Sequence, residues 1–186
     1  MSSFNLVQIV PSLDSGGVER GTVDVANFLA EKKIQNFIIT SGGKMIKELD
    51  EKFIHVHQLP VASKNFFSYP LIARKINRFI KAKNINIVHV RSRGPAWMIN
   101  LMAKNNINTI ATFHNVYGGN SYLKKMYNKG LSKILSPDVV ILTNSIFMLW
   151  SIFFNSFPTI SACHNANGLF LVAILMILGI KLSSIC

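Results

Sequence analysis

The stretch VPSLDSGGVERGTVDVANFLAEK, residues 10–32, joins an apolar run to a helical pattern through two adjacent glycines. The segment before it, FNLVQIV at 4–10, is short, apolar and ended by Pro11, which is typical of a buried strand. Side chains suited to a buried helix face then recur at helical spacing, at Val18, Thr22, Val25, Ala26 and Leu29. Gly16 and Gly17 therefore lie at the start of a helix. There, unpaired N–H groups suit an anion, and a missing side chain lets a ligand reach the backbone.

Strand and helix patterns alternate along the chain as far as about residue 145. Further strands are predicted at 36–40, 53–59, 85–90, 108–114 and 137–144. Further helices are predicted at 69–83, 94–104 and 121–135. Because most strand segments are apolar, the sheet is expected to be parallel, with helices on both faces. The predicted fold class is therefore α/β, a Rossmann-like sheet that binds ligands beyond the carboxyl ends of its strands.

The glycine pair fits neither of the common phosphate-binding fingerprints. The pattern GxGxxG is absent, and no GK[ST] follows the glycines. Glu19, in the first turn of the predicted helix, suits the positive end of the helix dipole. From spacing alone, a ligand-binding loop and a simple tight turn before a helix stay equally open.

The charge balance of the chain indicates an anionic partner. The 186 residues include 20 Lys and Arg against 8 Asp and Glu, a formal net charge of +12. Such an excess is typical of proteins that bind nucleic acid, phosphorylated ligands or anionic membranes, although solubility or lysine-rich codon usage would also produce it. No aromatic-interleaved basic motif of an RNA-binding module occurs, so nucleic acid is not expected as a partner. We expect an anionic membrane surface instead.

The cysteines and histidines do not form a metal-binding pattern. Cys163 and Cys186 have no partner pair at zinc-ligand spacing, so neither a metal nor a disulfide framework is expected. His55, His57 and His89 lie inside predicted strands and are interpreted as structural. Because the N-terminus lacks the basic and long apolar regions of a secretory signal, a cytoplasmic location is predicted.

The end of the chain differs in composition from the rest. Beyond Asp138, Lys181 is the single charged side chain. We therefore predict a domain at 1–145 and an apolar tail at 146–186. The tail is interpreted as the product of a shifted reading frame, with a membrane-associated segment as the alternative. The apolar run at 169–180 would extend about 18 Å as a helix, which is short of a hydrocarbon core of about 30 Å.

Four segments, in order, resemble glycosyltransferases of family 4, which have the GT-B fold of two Rossmann-like domains. SLDSGGVERGTVDVANFLAEK resembles the opening loop and helix of that family, and NIVHVRSRGPAW resembles a strand followed by a polar turn and a helix. TIATFHNVYG is similar to a strand that ends in T-x-H, and PDVVILTNS is similar to the strand that closes the N-terminal domain. Together these landmarks cover roughly residues 4–147.

The resemblance implies roles for individual residues. It makes His114 the catalytic residue, and it implies a donor- and acceptor-binding set of Gly16, Gly17, Glu19, Arg91 and Arg93. The glycine loop would face the donor diphosphate and the acceptor, with Glu19 accepting a hydrogen bond from a sugar hydroxyl. The two arginines would meet a phosphorylated acceptor. His114 would project from a strand end toward the donor sugar.

The same resemblance implies a retaining glycosyltransferase of the hexosyltransferase type, acting in cell-envelope polysaccharide or lipopolysaccharide-core biosynthesis. It would transfer sugar from a nucleotide-sugar donor to a lipid-linked or core-sugar acceptor, with no metal or other cofactor. Its place would be peripheral, at the inner face of the cytoplasmic membrane.

The family's second domain binds the donor and carries a basic pair and a paired-glutamate motif, but no Glu follows Glu51 in this chain. We therefore expect this chain alone to be an inactive fragment. The alternative is a non-enzymatic, membrane-associated binding remnant.

Overall fold

The structure is a computed structural model of the 186-residue chain, and it describes residues 5–102, 107–113 and 139–142. The chain divides into two units, Met1–Ser145 and Ile146–Cys186, and every described residue lies in the first. The apolar tail predicted at 146–186 lies outside the described residues, as does the helix predicted at 121–135. Both stay predictions.

The described residues form a six-stranded sheet in which every pairing is parallel. Its strands are β1 (Leu6–Ile9), β2 (Asn36–Thr40), β3 (Ile54–Gln58), β4 (Ile87–Val90), β5 (Asn108–Phe113) and β6 (Val139–Leu142). Their spatial order is β3-β2-β1-β4-β5-β6. Successive strands after β1 are therefore added first on one side of it (β2, β3) and then on the other (β4, β5, β6). Sheets of this kind bind ligands at this switch point, between β1 and β4. The predicted α/β, Rossmann-like parallel sheet is confirmed.

Within the described residues, three helices and two short 3-10 turns connect these strands. The helices are α1 (Gly17–Glu31), α2 (Tyr69–Ala82) and α3 (Arg93–Asn100), and the turns are Lys44–Glu48 and Phe66–Ser68. Each described strand and α-helix coincides with a predicted one to within a few residues, whereas the two 3-10 turns were not predicted. The largest difference is at α3, which ends at Asn100 rather than near residue 104.

The helices cover both faces of the sheet because its apolar side chains alternate between two cores. On one face, β1 and β4 pack against α2 and α3, through residues such as Val7, Ile9, Val90, Ile76 and Met98. On the other face, α1 packs through Val23, Ala26 and Ala30 against Val10 and Ile38. Each large side chain buried in this way stabilises the fold by roughly 1.5–3 kcal/mol. These cores hold the loops at the carboxyl edge of the sheet in place.

Candidate functional site

The loop between β1 and α1 is anchored to the loop that follows β2. The Leu13 N–H donates to the Gly42 carbonyl at 2.8 Å, and the Met45 N–H donates to the Leu13 carbonyl at 2.8 Å. Gly43 has φ +145, and a Cβ there would collide with the backbone of Leu13. Only glycine therefore allows this close approach of the two loops. Hydrogen bonds thus fix the base of the β1–α1 loop, while residues 14–17 at its tip are exposed.

Gly16 and Gly17 have different conformations at the start of α1. Gly16 is the N-cap residue with φ 136 and ψ 171, and its carbonyl accepts the first helical hydrogen bond, from the Arg20 N–H at 2.9 Å. A Cβ on Gly17 would meet nothing within 4 Å. Glycine offers no capping side chain, and the N-cap residue makes no side-chain hydrogen bond to the first N–H groups of α1. The first turn of α1 therefore meets solvent through backbone rather than through a capping side chain.

The Glu19 side chain folds back over the N-cap of α1. A Cβ placed on Gly16 would lie 2.6 Å from the Glu19 Oε2 atom, so the carboxylate is next to the Gly16 Cα. A negative charge there is favoured by the helix dipole, but it repels a second anion at the same position. Beside Gly16, the site is therefore better suited to a neutral ligand rich in hydroxyl groups than to a phosphate.

Arg91 follows β4 at the same edge of the sheet, but its side chain is directed inward. Its backbone N–H donates to the Ile9 carbonyl at 3.0 Å. Its guanidinium Nη1 donates to the Thr22 Oγ1 at 2.8 Å and to the Val18 carbonyl at 3.4 Å, beneath α1. The residue is only 6% exposed. The family resemblance implied that Arg91 would meet a phosphorylated acceptor. In this structure, the Arg91 side chain contacts the first turns of α1.

Burial changes the electrostatics of Arg91. Desolvation lowers the pKa of its guanidinium to about 10, and the negative charges of Asp24 and Glu19 oppose that shift. The group stays protonated at neutral pH. A buried cation with hydrogen bonds to two α1 residues links the end of β4 to the helix that carries the glycine loop. Arg91 thus ties the first turns of α1 to the carboxyl end of β4.

The other two predicted site residues follow β4 and β5. Arg93 is half-buried and is the first residue of α3, at the same edge as Arg91. His114 comes directly after β5, which ends at Phe113, and lies outside the described residues. Because β4 and β5 pair in parallel, with Val90 opposite Ala111, their carboxyl ends share that edge. The structure thus brings Gly16, Gly17, Glu19, Arg91 and Arg93 to one edge of the sheet.

A row of buried polar side chains lies on the face of the sheet that α1 covers. Their hydrogen-bond partners were not predicted from the sequence. The Gln8 Nε2 donates to the Thr22 carbonyl at 3.1 Å, and a hydrogen bond of 2.7 Å joins the His89 Nε2 to the Thr112 Oγ1. All four residues are buried. The available signal was a polar residue inside an apolar strand segment, Gln8 in LVQI, His89 in IVHV and Thr112 in NTIATF. Such residues require internal hydrogen-bond partners, which here include the helix that supports the loop.

The remaining histidines of the described strands pack against aromatic rings. The His57 ring stacks on Phe79 with centroids 4.7 Å apart, and the His55 ring lies 5.5 Å from that of Phe37. Within the described residues, no group of three or more His, Cys, Asp or Glu could hold a metal ion. The same part of the chain contains no helix long and apolar enough to cross a membrane.

Comparison with known proteins links this geometry to one family. Residues 15–149 match the family model described as Glycosyltransferase Family 4. The crystal structure of a glycosyltransferase from Rickettsia africae ESF-5 is 41% identical, with a TM-score of 0.59, over 72% of this chain and 35% of that one. The crystal structure of Acinetobacter baumannii MurG is 16% identical, with a TM-score of 0.51, over 84% of this chain and 43% of that one. It therefore shows a likeness of fold alone. None of the curated proteins matches this chain.

Proposed function

This chain belongs to glycosyltransferase family 4, and on that premise we propose that it forms the acceptor-binding half of a two-domain GT-B enzyme. One observation carries the proposal. The matched residues 15–149 begin at the glycine loop, which lies at the carboxyl edge of the sheet beside the β1–β4 switch point. That is the edge at which an α/β sheet of this topology receives its ligand.

The negative charge of Glu19 makes the sugar acceptor, rather than the donor diphosphate, the ligand that we expect next to this residue. The carboxylate beside Gly16 accepts hydrogen bonds and repels phosphate, so it suits the hydroxyl groups of a sugar acceptor. The exposed backbone of Gly17 leaves room for the donor to approach from the opposite domain. In this proposal, Glu19 positions the acceptor, and the buried Arg91 keeps the first turn of α1 in place.

The proposed reaction is transfer of a hexose from a nucleotide sugar to a lipid-linked or core-sugar acceptor of the cell envelope, with retention of configuration and without a metal. His114, which follows β5 directly, is the proposed catalytic residue. The net charge of +12 supports a place for the enzyme at an anionic membrane surface, on the inner face of the cytoplasmic membrane.

We also propose that the 186 residues alone transfer no sugar. In a GT-B enzyme, the reaction takes place in a cleft between two domains. In the wall described here, Arg91 is buried and Glu19 is anionic, so neither can hold a diphosphate. We expect nucleotide-sugar binding only in the millimolar range or weaker, equivalent to about 4 kcal/mol or less.

The test joins residues 1–145 to the remaining part of the Rickettsia africae enzyme and measures sugar transfer from a panel of nucleotide sugars. We expect transfer by the fusion and none by the unmodified chain. His114→Ala in the fusion should lower turnover by about 100-fold or more, because one polar group placed at a developing charge contributes about 3 kcal/mol.

His89→Ala is the matched control for the His114 variant. His89 is buried and bonded to Thr112, so its loss should lower the free energy of unfolding. A folded fusion that transfers no sugar would contradict the proposed function. Transfer that persists in His114→Ala would remove His114 from the reaction and leave the acceptor-domain assignment intact.

A further inference from the structure

The outer face of α2 and the turn before it form a surface that is both basic and aromatic. Four cations of α2 are exposed, at Arg74, Lys75, Arg78 and Lys81. Arg74, Arg78 and Lys81 are three to four residues apart and Lys75 lies beside Arg74, so the four cations share the side of the helix that faces away from the sheet. Together with the apolar turn residues described next, they are called the α2 surface.

The α2 surface is apolar at the N-terminal end of the helix. Phe67 is 95% exposed, Leu71 is 58% exposed and Phe66 is 47% exposed. Phe66 is held in place by the core, since its ring stacks on Tyr69 at 4.6 Å and meets Trp97 edge-on at 5.9 Å. Phe67 is therefore presented by a fixed 3-10 turn and projects into solvent. Aromatic side chains this exposed are costly in water unless a partner covers them.

The chain segment that contains the α2 surface has no acidic residue to offset the charge of its cations. Between Glu51 and Asp138 the sequence contains no Asp or Glu. The ion pair that the described residues do form lies on the α1 side, between Arg20 and Glu48 at 2.7 Å. The α2 surface thus carries four cations and no acidic residue of its own segment.

We propose that the α2 surface docks the protein on an anionic lipid bilayer, with the cations against the headgroups and Phe67 inserted at the interface. A bilayer presents negative charge and an apolar layer side by side, and this surface has cations beside an apolar tip. The buried face of α2 packs on the sheet through Ile72, Ile76 and Ile80, so the helix docks without inserting its apolar face.

The position of the α2 surface fits the proposed function, on which its biological use rests. A helix between two parallel strands runs antiparallel to them, so the start of α2 lies at the carboxyl edge of the sheet. A Cβ on Gly94, near the start of α3, would lie 3.6 Å from the Tyr69 hydroxyl, so the starts of α2 and α3 meet at that edge. Phe67 is therefore at the same edge as the glycine loop. A lipid-linked acceptor could reach the loop from a bilayer docked here.

The test measures sedimentation of the full chain with vesicles of phosphatidylglycerol and phosphatidylcholine, and with vesicles of phosphatidylcholine alone. Lys75→Gln/Lys81→Gln removes two charges from the α2 surface, and Lys44→Gln/Lys47→Gln removes two exposed charges elsewhere. We expect the first pair to lower the partition coefficient on anionic vesicles by roughly tenfold or more, and the control pair to lower it by less than about threefold. All variants keep the apolar tail, so its contribution cancels.

A second pair of variants tests the aromatic tip. Phe67→Ser should lower partitioning on anionic vesicles by about threefold to tenfold, whereas Phe67→Trp should preserve it, since both Phe and Trp suit the interface. Raising the salt concentration should weaken wild-type binding and narrow the gap between the two lysine pairs.

Three outcomes would overturn the proposal: equal losses for the two lysine pairs, equal binding to neutral and anionic vesicles, or binding to single-stranded RNA without binding to vesicles. Vesicle binding requires no sugar transfer, so its failure leaves the proposed function untouched. In the same way, an inactive fusion leaves the docking result standing.

Discussion

Helices α1 and α2 cover opposite faces of one sheet, but their polar residues serve different purposes. On the α1 side, polar groups bond to one another beneath the helix: Arg91 donates to the Thr22 hydroxyl, and Gln8 donates to the Thr22 carbonyl. On the α2 side, the exposed side chains include four cations without acidic neighbours in sequence and the apolar Phe67 and Leu71. The contrast teaches that one sheet can carry a buried polar network on one face and an exposed basic surface on the other.

This comparison predicts that substitutions near the β1–α1 loop change stability, whereas those on the α2 surface change binding. The largest effect is expected for Gly43→Ala. Its Cβ would overlap the Leu13 backbone, and φ +145 is strained for any other residue, so the loss should be about 3 kcal/mol or more. Urea unfolding measures it.

Gly42→Ala is the matched control, because it shares a positive φ of +124 but has nothing within 4 Å of the added Cβ. It should cost about 1–2 kcal/mol. Equal losses for the two glycines would mean that the backbone conformation alone, and not the approach of Leu13, makes Gly43 necessary.

An intermediate effect is expected for Arg91→Met, which keeps much of the volume but removes the hydrogen bonds to Thr22 and Val18. The free energy of unfolding should fall by about 2 kcal/mol, because charged donors bonded in the interior contribute more than exposed ones. Arg20→Met, which breaks an ion pair that is 52% exposed on the arginine side, should cost less than about 1 kcal/mol.

Hydrogen exchange would sharpen the Arg91 result. If Arg91 positions the loop, exchange in Arg91→Met should accelerate most at the first turns of α1, at Gly17 to Thr22. Uniform acceleration across the sheet would instead make Arg91 a general contributor to stability.

The smallest effects are expected at the two glycines of the loop, and they should have opposite signs. Gly16→Ala should cost about 1–2 kcal/mol, because φ +136 disfavours a side chain and the Glu19 carboxylate has to move. Gly17→Ala should stabilise by about 0.5–1 kcal/mol, since this helical position has open space around it. Thermal unfolding of both variants measures this difference, and two changes of the same sign would contradict the geometry of the loop.

The pattern of apolar residues was enough to predict the alternating strands and helices. Runs such as FNLVQIV and NFIIT, alternating with helical patterns, are typical of buried parallel strands, and the described strands at Leu6–Ile9 and Asn36–Thr40 follow them. The glycine pair was also placed correctly between β1 and α1. These features depend on neighbours along the chain, so local periodicity contains them.

The direction and burial of side chains depended instead on residues distant in sequence. Nothing near Arg91 indicates that its guanidinium bonds to Thr22, because that contact requires α1 to lie across β4. The sequence indicates only that Glu19 is an acidic residue in the first turn of a helix, whereas the fold places its carboxylate beside Gly16. Phe66 and Phe67 are adjacent and identical, but contacts with Tyr69 and Trp97 leave Phe66 47% exposed, whereas Phe67 is 95% exposed. Periodicity thus predicts which segments are buried, but the packing of distant elements sets the chemistry that each edge and face presents.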